Sequence, residues 1–414
     1  MDWLHPFGLI INGVLERGLE IAVVDGIIQE IRSSNHKPEP FVLSPAFVNA
    51  HSHLEYRGML DQIEHPEYYE WIYELTRLKS LETEEFVREQ CTRAARENVE
   101  AGVAWIGEHS DRPGSAEAMV RHGLGGWIFQ EVITAGSPDP ATTLTDIEAK
   151  LFRTTNVLAA ENLSEANQVK MPLRMERPVS EERSEPGEGK TTRLRIGSSL
   201  SPHAYFTVDH NTLRHLGASN QPSSIHLAET VHESNFTHSG KGPLAERRDA
   251  KGIKYEIYGQ SVTEVLDDLG VLRPGMQCVH CCDVNQHDIE ILAKRGVTIA
   301  HCPRSNFRLQ CPNAPVREFL DAGITVGLGM DSPASGGKID MFAEMRAALS
   351  TSNRRGKPLT AEEVWRLATS EGYRSFGHPG QTKWDIFEGS ATPLKRIKTN
   401  GATNLKDLIL LGSL

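Results

Sequence analysis

The 414-residue chain has the composition of an ordinary globular protein, with 39% hydrophobic and 24% charged residues. Its net charge of −11 would repel phosphate backbones and anionic lipid, which argues against nucleic acid or a membrane surface as a partner. No apolar run approaches the ~20 residues that a membrane helix needs, and we expect no signal peptide. Six cysteines in so long a chain favour reduced thiols, so we expect a cytoplasmic protein.

The two ends of the chain are predicted to form one small β domain, residues 1–44 and 381–414. Residues 8–31 contain short apolar runs broken at Asn12-Gly13 and Asp25-Gly26, which are tight-turn signals and predict antiparallel strands. The stretch from Asn404 to Leu414 also has the pattern of a strand. Neither end is long enough to bury a core alone, so we expect them to pack together beside a larger domain.

The residues between the ends, 45–380, alternate apolar β-type runs with helical stretches. Near-continuous apolar runs are typical of strands that are covered on both faces, as in a parallel sheet. Helical periodicity is clearest over Thr83–Val99 and Asp340–Leu349. Eight such units predict a closed (β/α)₈ barrel of the TIM type. The eight runs are Ser44–His51, Val103–Glu108, Gly126–Ile133, Leu194–Ser201, Ser223–His226, Gln277–Cys281, Val297–Cys302 and Ile324–Gly329.

One segment interrupts the alternation of strands and helices. Residues 155–192 are polar and charged and show no clear period, which predicts a flexible surface insertion between the third and fourth units. The same segment is also compatible with a lid over the barrel mouth.

Several predicted strands end in residues that bind metals or transfer protons. The first run ends in His51-Ser52-His53, and two histidines two positions apart on a strand project to the same side. His226, His280, His301 and Asp331 end the fifth to eighth runs. Active sites of such barrels lie at the carboxyl ends of the strands. Three imidazoles and one carboxylate suit a divalent ion such as zinc or iron.

These residues lie in motifs that resemble those of the amidohydrolase superfamily. The motifs are SPAFVNAHSHLE (44–55), SPHAYFTV (201–208), IHLAET (225–230), VHC (279–281), AHCPRSN (300–306) and VGLGMDSPAS (326–335). The resemblance implies a barrel, a β domain built from both chain ends and a catalytic ion. Among the family's branches, the chain is most similar to one-metal aminohydrolases that act on purine-like rings.

The resemblance also implies roles for individual residues. It makes His51, His53, His226 and Asp331 the metal ligands. Glu229 and His280, with Asp331, would move protons in catalysis, and His203 would contact the substrate. The two-metal branch uses a lysine near the end of the fourth strand, but residues 193–203 contain none, so we expect one ion. Zinc is the favoured metal, with iron and manganese as alternatives.

The substrate is predicted only as a class, a small heterocycle with an exocyclic amine. Arg304 is a candidate for binding a substrate carboxylate, and Glu55 lies close enough to the ligands in sequence to touch substrate; a structural role is the alternative for each. The motifs around these residues resemble aminodeoxyfutalosine deaminases in particular. Ala46, Met330 and Tyr205-Phe206 depart from the usual family residues, and the last two departures would reshape the pocket.

Other functions remain open on the sequence alone. The same chemistry serves guanine and pterin deaminases, S-adenosylhomocysteine deaminases, triazine chlorohydrolases and cyclic amidases. A non-catalytic scaffold would be expected to have lost metal ligands, and none is missing here. The sequence does not define the oligomeric state, for which a homodimer is one expectation.

Overall fold

The computed structural model describes residues 3–163, 196–376 and 383–412. The strands are β1 Trp3–Leu4, β2 Pro6–Ile11, β3 Val14–Glu16, β4 Leu19–Val24, β5 Ile27–Ser33, β6 Glu39–Pro45, β7 Phe47–Ser52, β8 Val103–Ser110, β9 Gly125–Val132, β10 Ile196–Pro202, β11 Ser223–Leu227, β12 Met276–His280, β13 Thr298–His301, β14 Val326–Leu328 and β15 Leu394–Lys398. The helices are α1 Tyr68–Lys79, α2 Glu84–Glu100, α3 Ser115–His122, α4 Pro140–Leu163, α5 His210–Gly217, α6 Val231–Ser239, α7 Pro243–Ala250, α8 Val262–Asp268, α9 Gln286–Arg295, α10 Pro303–Arg308, α11 Val316–Asp321, α12 Pro333–Gly336, α13 Met341–Arg354, α14 Ala361–Leu367, α15 Ser370–Arg374 and α16 Leu405–Leu411. None of the helices in the described ranges combines the length and hydrophobicity of a bilayer span.

The amino-terminal segment forms strands that belong to two small sheets. Strands β1, β4 and β5 pair antiparallel in one sheet, and β2 pairs antiparallel with β3 in the other. The turns between β2 and β3 and between β4 and β5 use the predicted pairs, with positive φ at Asn12 (49°), Gly13 (77°), Asp25 (51°) and Gly26 (77°). The predicted hairpins are therefore present, although the single expected sheet is divided into two.

The two chain ends meet through β15, which pairs antiparallel with β6. The predicted strand over Asn404–Leu414 is wrong, because Leu405–Leu411 form helix α16 instead. The Asn404 side chain accepts a hydrogen bond from the backbone of Asp407 and caps the helix. Leu405, Leu408 and Ile409 then lie buried on one helical face, at the spacing that a helix and not a strand brings together. The exact domain boundaries at 44 and 381 stay a prediction.

The centre of the molecule contains eight parallel strands in two four-stranded sheets. Strands β7, β8, β9 and β10 pair in that order, as do β11, β12, β13 and β14. The two sheets also contact each other at both outer edges, through single bridges between Ser52 and Asp331 and between Ala204 and His226. Two parallel sheets that meet at both edges fit the predicted TIM-like barrel, and each predicted barrel run contains a strand, with small shifts in its bounds.

Helices follow the strands as the sequence predicts. Helix α2 covers the predicted stretch Thr83–Val99, and α13 covers Asp340–Leu349. The predicted insertion 155–192 begins too early, because α4 continues to Leu163. Its residues from 164 onward lie outside the described residues. Two extra elements, α1 after β7 and α7 after β11, lie in connections that follow the carboxyl ends of strands, where they border the site described next.

Candidate metal centre and catalytic cavity

The two histidines at the end of β7 lie side by side at the barrel mouth. The Nε2 atoms of His51 and His53 are 3.5 Å and 3.9 Å from Oδ1 of Asp331, which follows β14 on the neighbouring strand of the ring. Burial lowers the pKa of each imidazole to about 3, despite the nearby carboxylate of Asp331. Both rings are therefore neutral near pH 7, which is the form that binds metals.

Asp331 is held in place by donors on its other side. Its Oδ2 accepts hydrogen bonds from the hydroxyls of Ser305 (2.6 Å) and Ser335 (3.0 Å), and its Oδ1 accepts one from the Ser332 amide. Burial raises the pKa of this carboxyl, but the adjacent His51 and the other surrounding histidines outweigh burial and hold the pKa well below its usual range. Asp331 is thus ionised, and its φ of 55° fixes the turn that brings it to the histidines.

His226, near the end of β11, completes the cluster. Its Nδ1 lies 2.8 Å from the backbone carbonyl of His203 and donates to it, which leaves Nε2 free for another partner. Its ring stacks on that of His53 with centroids 5.6 Å apart. The sequence-predicted ligands are thus brought together from three different strand ends.

The donor set fits one divalent cation. Among the described residues, the buried Nε2 of His51 has no hydrogen-bond partner, whereas its Nδ1 lies 3.0 Å from Nδ1 of His109. The ligand-type atoms of His51, His53 and Asp331 all lie within 4.8 Å of one another. Two atoms that share one zinc ion at about 2.0–2.2 Å are separated by roughly 3–4 Å, as these atoms are. His301 does not join any such group among the described residues.

Glu229 and His280 form the second part of the site. Nε2 of His280 lies 3.6 Å from Oε1 of Glu229, and the Asn306 side-chain amide donates to Nδ1 of His280 at 2.9 Å. That bond leaves the proton of the neutral imidazole on Nε2. Burial, followed by the charge of Asp331, raises the pKa of Glu229 well above its usual range, which favours the protonated form of this carboxyl.

Two site residues were missed by the sequence analysis. His109, at the end of β8, contacts His51, and Glu131, at the end of β9, lies 3.9 Å from Nδ1 of His226. Burial raises the pKa of Glu131 well above its usual range, with smaller contributions from Asp111 and Glu55. The rule that strand ends carry function would have found both, had it been applied to the second and third strands.

A cavity of about 310 Å³ opens beside the cluster. Its walls include the aromatic and aliphatic side chains of Tyr56, Tyr68, Tyr69, Phe206 and Leu244. A largely apolar cavity that is also lined by a few polar groups is typical of a small-molecule site. The polar groups that the cavity shares with the histidine cluster are Glu131 and His203.

Of the three predicted substrate contacts, the structure brings one to this cavity. His203 lines it, with Nδ1 held 2.9 Å from the Thr207 hydroxyl. Arg304 does not line it, because its guanidinium donates to the Lys338 carbonyl at 2.8 Å and lies 3.6 Å from the buried carboxylate of Glu344.

Glu55 also lies away from the cavity lining. Its Oε2 accepts hydrogen bonds from the Ser110 hydroxyl at 2.7 Å and from the Arg112 amide at 3.1 Å. Burial and the neighbouring Asp111 raise its pKa to about 8. The structural alternative is favoured for both Arg304 and Glu55.

Comparisons with known proteins agree with this geometry. The model of the amidohydrolase family matches residues 42–382. A 5-methylthioadenosine/S-adenosylhomocysteine deaminase of Thermococcus kodakarensis is 28% identical over 81% of this chain and 69% of its own length. A 5′-deoxyadenosine deaminase of Methanothrix thermoacetophila is 33% identical over 44% of this chain and 41% of its own. The crystal structure of a zinc-bound adenosine deaminase from Xanthomonas campestris superimposes with a TM-score of 0.76, at 21% identity, over 98% of this chain and 88% of that one.

The family match spans the barrel and its motifs, so this chain belongs to the amidohydrolase family. The resemblance seen in the sequence is thereby confirmed. Members of this family are hydrolases, and the family match together with the likeness to the solved adenosine deaminase indicates a TIM-like fold. Within the family, relatives named as deaminases of adenosine-type nucleosides are similar over most of the chain.

Proposed function

We propose that this protein is a metal-dependent hydrolytic deaminase of an amino-substituted purine nucleoside. The observation that carries the proposal is that the pKa values of two carboxyls in one site are shifted in opposite directions. The pKa of Asp331 is held below its usual range and that of Glu229 is raised above it, and both carboxyls lie beside His280. Two carboxyls whose pKa values are pushed apart supply a base and an acid at the same pH.

We infer that His51, His53, His226 and Asp331 hold one divalent ion, with zinc as the favoured metal. The neutral imidazoles, the ionised carboxylate and the partner-free Nε2 of His51 support this assignment. A divalent cation held there supplies a Lewis acid that brings the pKa of water from about 15.7 towards about 7.

Different residues of the chain then carry out the separate proton transfers. Asp331 accepts the first proton of the attacking water, and Nε2–H of His280 orients the attacking oxygen. Glu229 donates its proton to the ring nitrogen beside the carbon that is attacked. The C–O bond forms, the amine takes the proton from Asp331, and the C–N bond breaks to release ammonia. The remaining hydroxyl proton returns to Glu229 as the carbonyl forms, so the site is restored.

The cavity beside the cluster accommodates the rest of the nucleoside. Stacking on Tyr56, Tyr68 or Phe206 favours a planar heterocycle, and His203 supplies a polar contact near the reacting ring. The relatives named as deaminases of 5-methylthioadenosine and 5′-deoxyadenosine support adenosine-type substrates. Aminodeoxyfutalosine, the substrate favoured by the sequence motifs, stays a prediction within that class.

Hydrolysis of another bond, such as carbon–chlorine in a triazine, is the second candidate. It needs the same activated water but no protonated acid beside the ring, because chloride leaves without a proton. The raised pKa of Glu229 therefore favours an amine as the leaving group.

The test is ammonia release by the zinc-loaded protein from 5′-deoxyadenosine, adenosine, S-adenosylhomocysteine, aminodeoxyfutalosine, guanine and a pterin. We expect release from at least one adenosine-type compound, and release that is slower by about 10²- to 10⁴-fold in the Glu229→Gln variant. Chloride release from a chlorotriazine is measured in parallel. Turnover of the chlorotriazine with no ammonia from any amine would overturn the proposal in favour of the second candidate.

A further inference from the structure

Three cations border the cavity on the side of α7. Arg247 and Arg248 lie in the last turn of α7, and Lys251 follows it. All three line the cavity whose polar end is shared with the histidine cluster. One substrate can therefore reach both groups only if it extends from the reacting ring towards α7.

These cations have no acidic partner among the residues that the structure describes. Arg247 lies over the ring of Tyr73 at 4.8 Å, and Arg248 donates to the Phe206 carbonyl at 2.6 Å. No carboxylate in the described ranges approaches within 4.0 Å of either guanidinium or of the Lys251 ammonium. Burial alone lowers the pKa of Arg248, which is the cost of keeping a cation there without a counter-charge.

The other cation of this cavity behaves differently. Lys79 also lines the cavity, but its Nζ lies 2.6 Å from Asp111 and 3.2 Å from the Tyr56 hydroxyl. Its charge is therefore neutralised within the protein. The uncompensated positive charge of the cavity is confined to the α7 side.

A buried carboxyl also lines the cavity. Oε1 of Glu131 has no hydrogen-bond partner among the described residues, and the residue is 2% exposed. A protonated or ionised carboxyl there is satisfied by a ligand that brings a hydroxyl or an amine. A ligand that satisfies both groups thus brings a hydroxyl or an amine to Glu131 and a negative charge to the α7 cations.

We propose that the cavity selects substrates whose arm, remote from the reacting ring, ends in a carboxylate or a phosphate that Arg247 and Arg248 bind. This assignment rests on the proposed deaminase function and specifies its substrate class. Guanidinium groups bind both oxyanions through paired hydrogen bonds, so the shared chemistry is an anionic terminus. Arg247 and Arg248 thus take the anion-binding role that the sequence suggested for Arg304, which pairs with Glu344.

The test compares nucleosides that differ only at the 5′ end. Adenosine-5′-carboxylate and its uncharged carboxamide form one matched pair, and adenosine 5′-monophosphate and adenosine form another. We expect kcat/KM to be at least about tenfold higher for an anion than for its neutral partner, since a hydrogen bond to a charged group is worth about tenfold to a hundredfold. Whether the carboxylate or the phosphate gains more identifies the natural terminus.

Substitutions of single arginines test whether the preference for anionic substrates depends on helix α7. Arg247→Gln is expected to lower the anion-to-neutral ratio of kcat/KM by about tenfold. Arg248→Lys keeps the charge but loses the forked donors, and should lower the ratio less. Arg121→Gln is the matched control, because Arg121 is exposed in the last turn of α3, just before β9 begins at the other end of the barrel. An equal loss in Arg121→Gln would overturn the assignment to α7.

Calorimetry measures the affinity for the same four compounds, so the anion site can be tested independently of deamination. If ammonia is released with no preference for anions, the inference fails while the deaminase function stands. If no compound is deaminated, the deaminase proposal fails for these substrates, and tighter binding of the anions that is lost in Arg247→Gln still supports the anion site. Equal affinity for charged and neutral partners overturns it in either case.

Discussion

The small amino-terminal sheet and the barrel mouth each bring histidines to a buried carboxylate, yet they differ in whether the polar atoms have partners. In the sheet, Glu20 accepts from Arg32 (2.6 Å), Ser34 (2.9 Å) and His36 (3.0 Å). In the mouth, one buried oxygen of Glu131 has no hydrogen-bond partner within the part of the chain that the structure describes. Both residues are 2% exposed, so burial alone does not distinguish them.

The pKa values of the two regions show the consequence. The hydrogen bond from Arg32 is the largest cause that lowers the pKa of Glu20, to about 2. In the mouth, burial without such donors raises the pKa of Glu131 and of Glu229. A carboxylate with all its donors supplied stabilises the fold, whereas a buried polar atom left without a partner indicates a ligand. A cluster of polar side chains is therefore weaker evidence of a ligand site than a buried polar atom without a hydrogen-bond partner.

Removal of a proposed ligand should break the barrel site and leave the sheet unaffected. His226→Ala is expected to reduce bound zinc to a small fraction of one equivalent and to lower activity by about a thousandfold, because the ion supplies several kcal/mol and about 1.4 kcal/mol is tenfold. Metal content measured by mass spectrometry checks this. His36→Ala, from the cluster around Glu20, is the matched control and should keep its zinc; loss of metal in the control alone would reverse the two assignments.

Glu229→Gln should separate proton transfer from metal binding. The amide does not donate an ionisable proton to the ring nitrogen, so kcat is expected to fall by about 10²- to 10⁴-fold with bound zinc unchanged. Steady-state kinetics and metal content on the same preparation check both halves. A fall in metal content parallel to kcat would make Glu229 a ligand or a support for one.

His109→Leu should weaken metal binding without removing a ligand. His109 contacts Nδ1 of His51 and thereby fixes the ring that presents Nε2 to the cluster. Loss of such a supporting partner typically costs about 10- to 100-fold in metal affinity. Competition with a zinc chelator measures the affinity, and His109→Gln, which keeps a polar partner, should recover part of it. Unchanged affinity in the leucine variant would show that the contact is only packing.

The smallest effect is expected in the sheet, on stability. The pKa of Glu20 is lower in the folded chain than its usual 4.5, so its contribution is fully present above about pH 4.5 and is lost as pH falls through about 2. Glu20→Gln should therefore lower the melting temperature by a few degrees at pH 7 and by progressively less below pH 4.5. A difference that grows on acidification would contradict the ionised, hydrogen-bonded state of Glu20.

The sequence predicted the barrel strands and the metal cluster because both depend on local patterns. Apolar runs identify buried strands, and His51, His53, His226 and Asp331 each end such a run. Helix α16 was mistaken for a strand because a short apolar run fits either period, and only the Asn404 cap and its packing decide between them. The place of Arg247 and Arg248 at the cavity could not be predicted from the sequence. Both lie in a long connection whose position over the cavity depends on tertiary packing.

Anomalous diffraction at the zinc edge, from crystals of the zinc-loaded protein, tests the ligand assignment most directly. We predict one peak at the barrel mouth, about 2.0–2.2 Å from nitrogen atoms of His51, His53 and His226 and from an oxygen of Asp331. A peak beside Glu20 and His36 instead, or a mouth without a peak in protein that contains zinc, would contradict it.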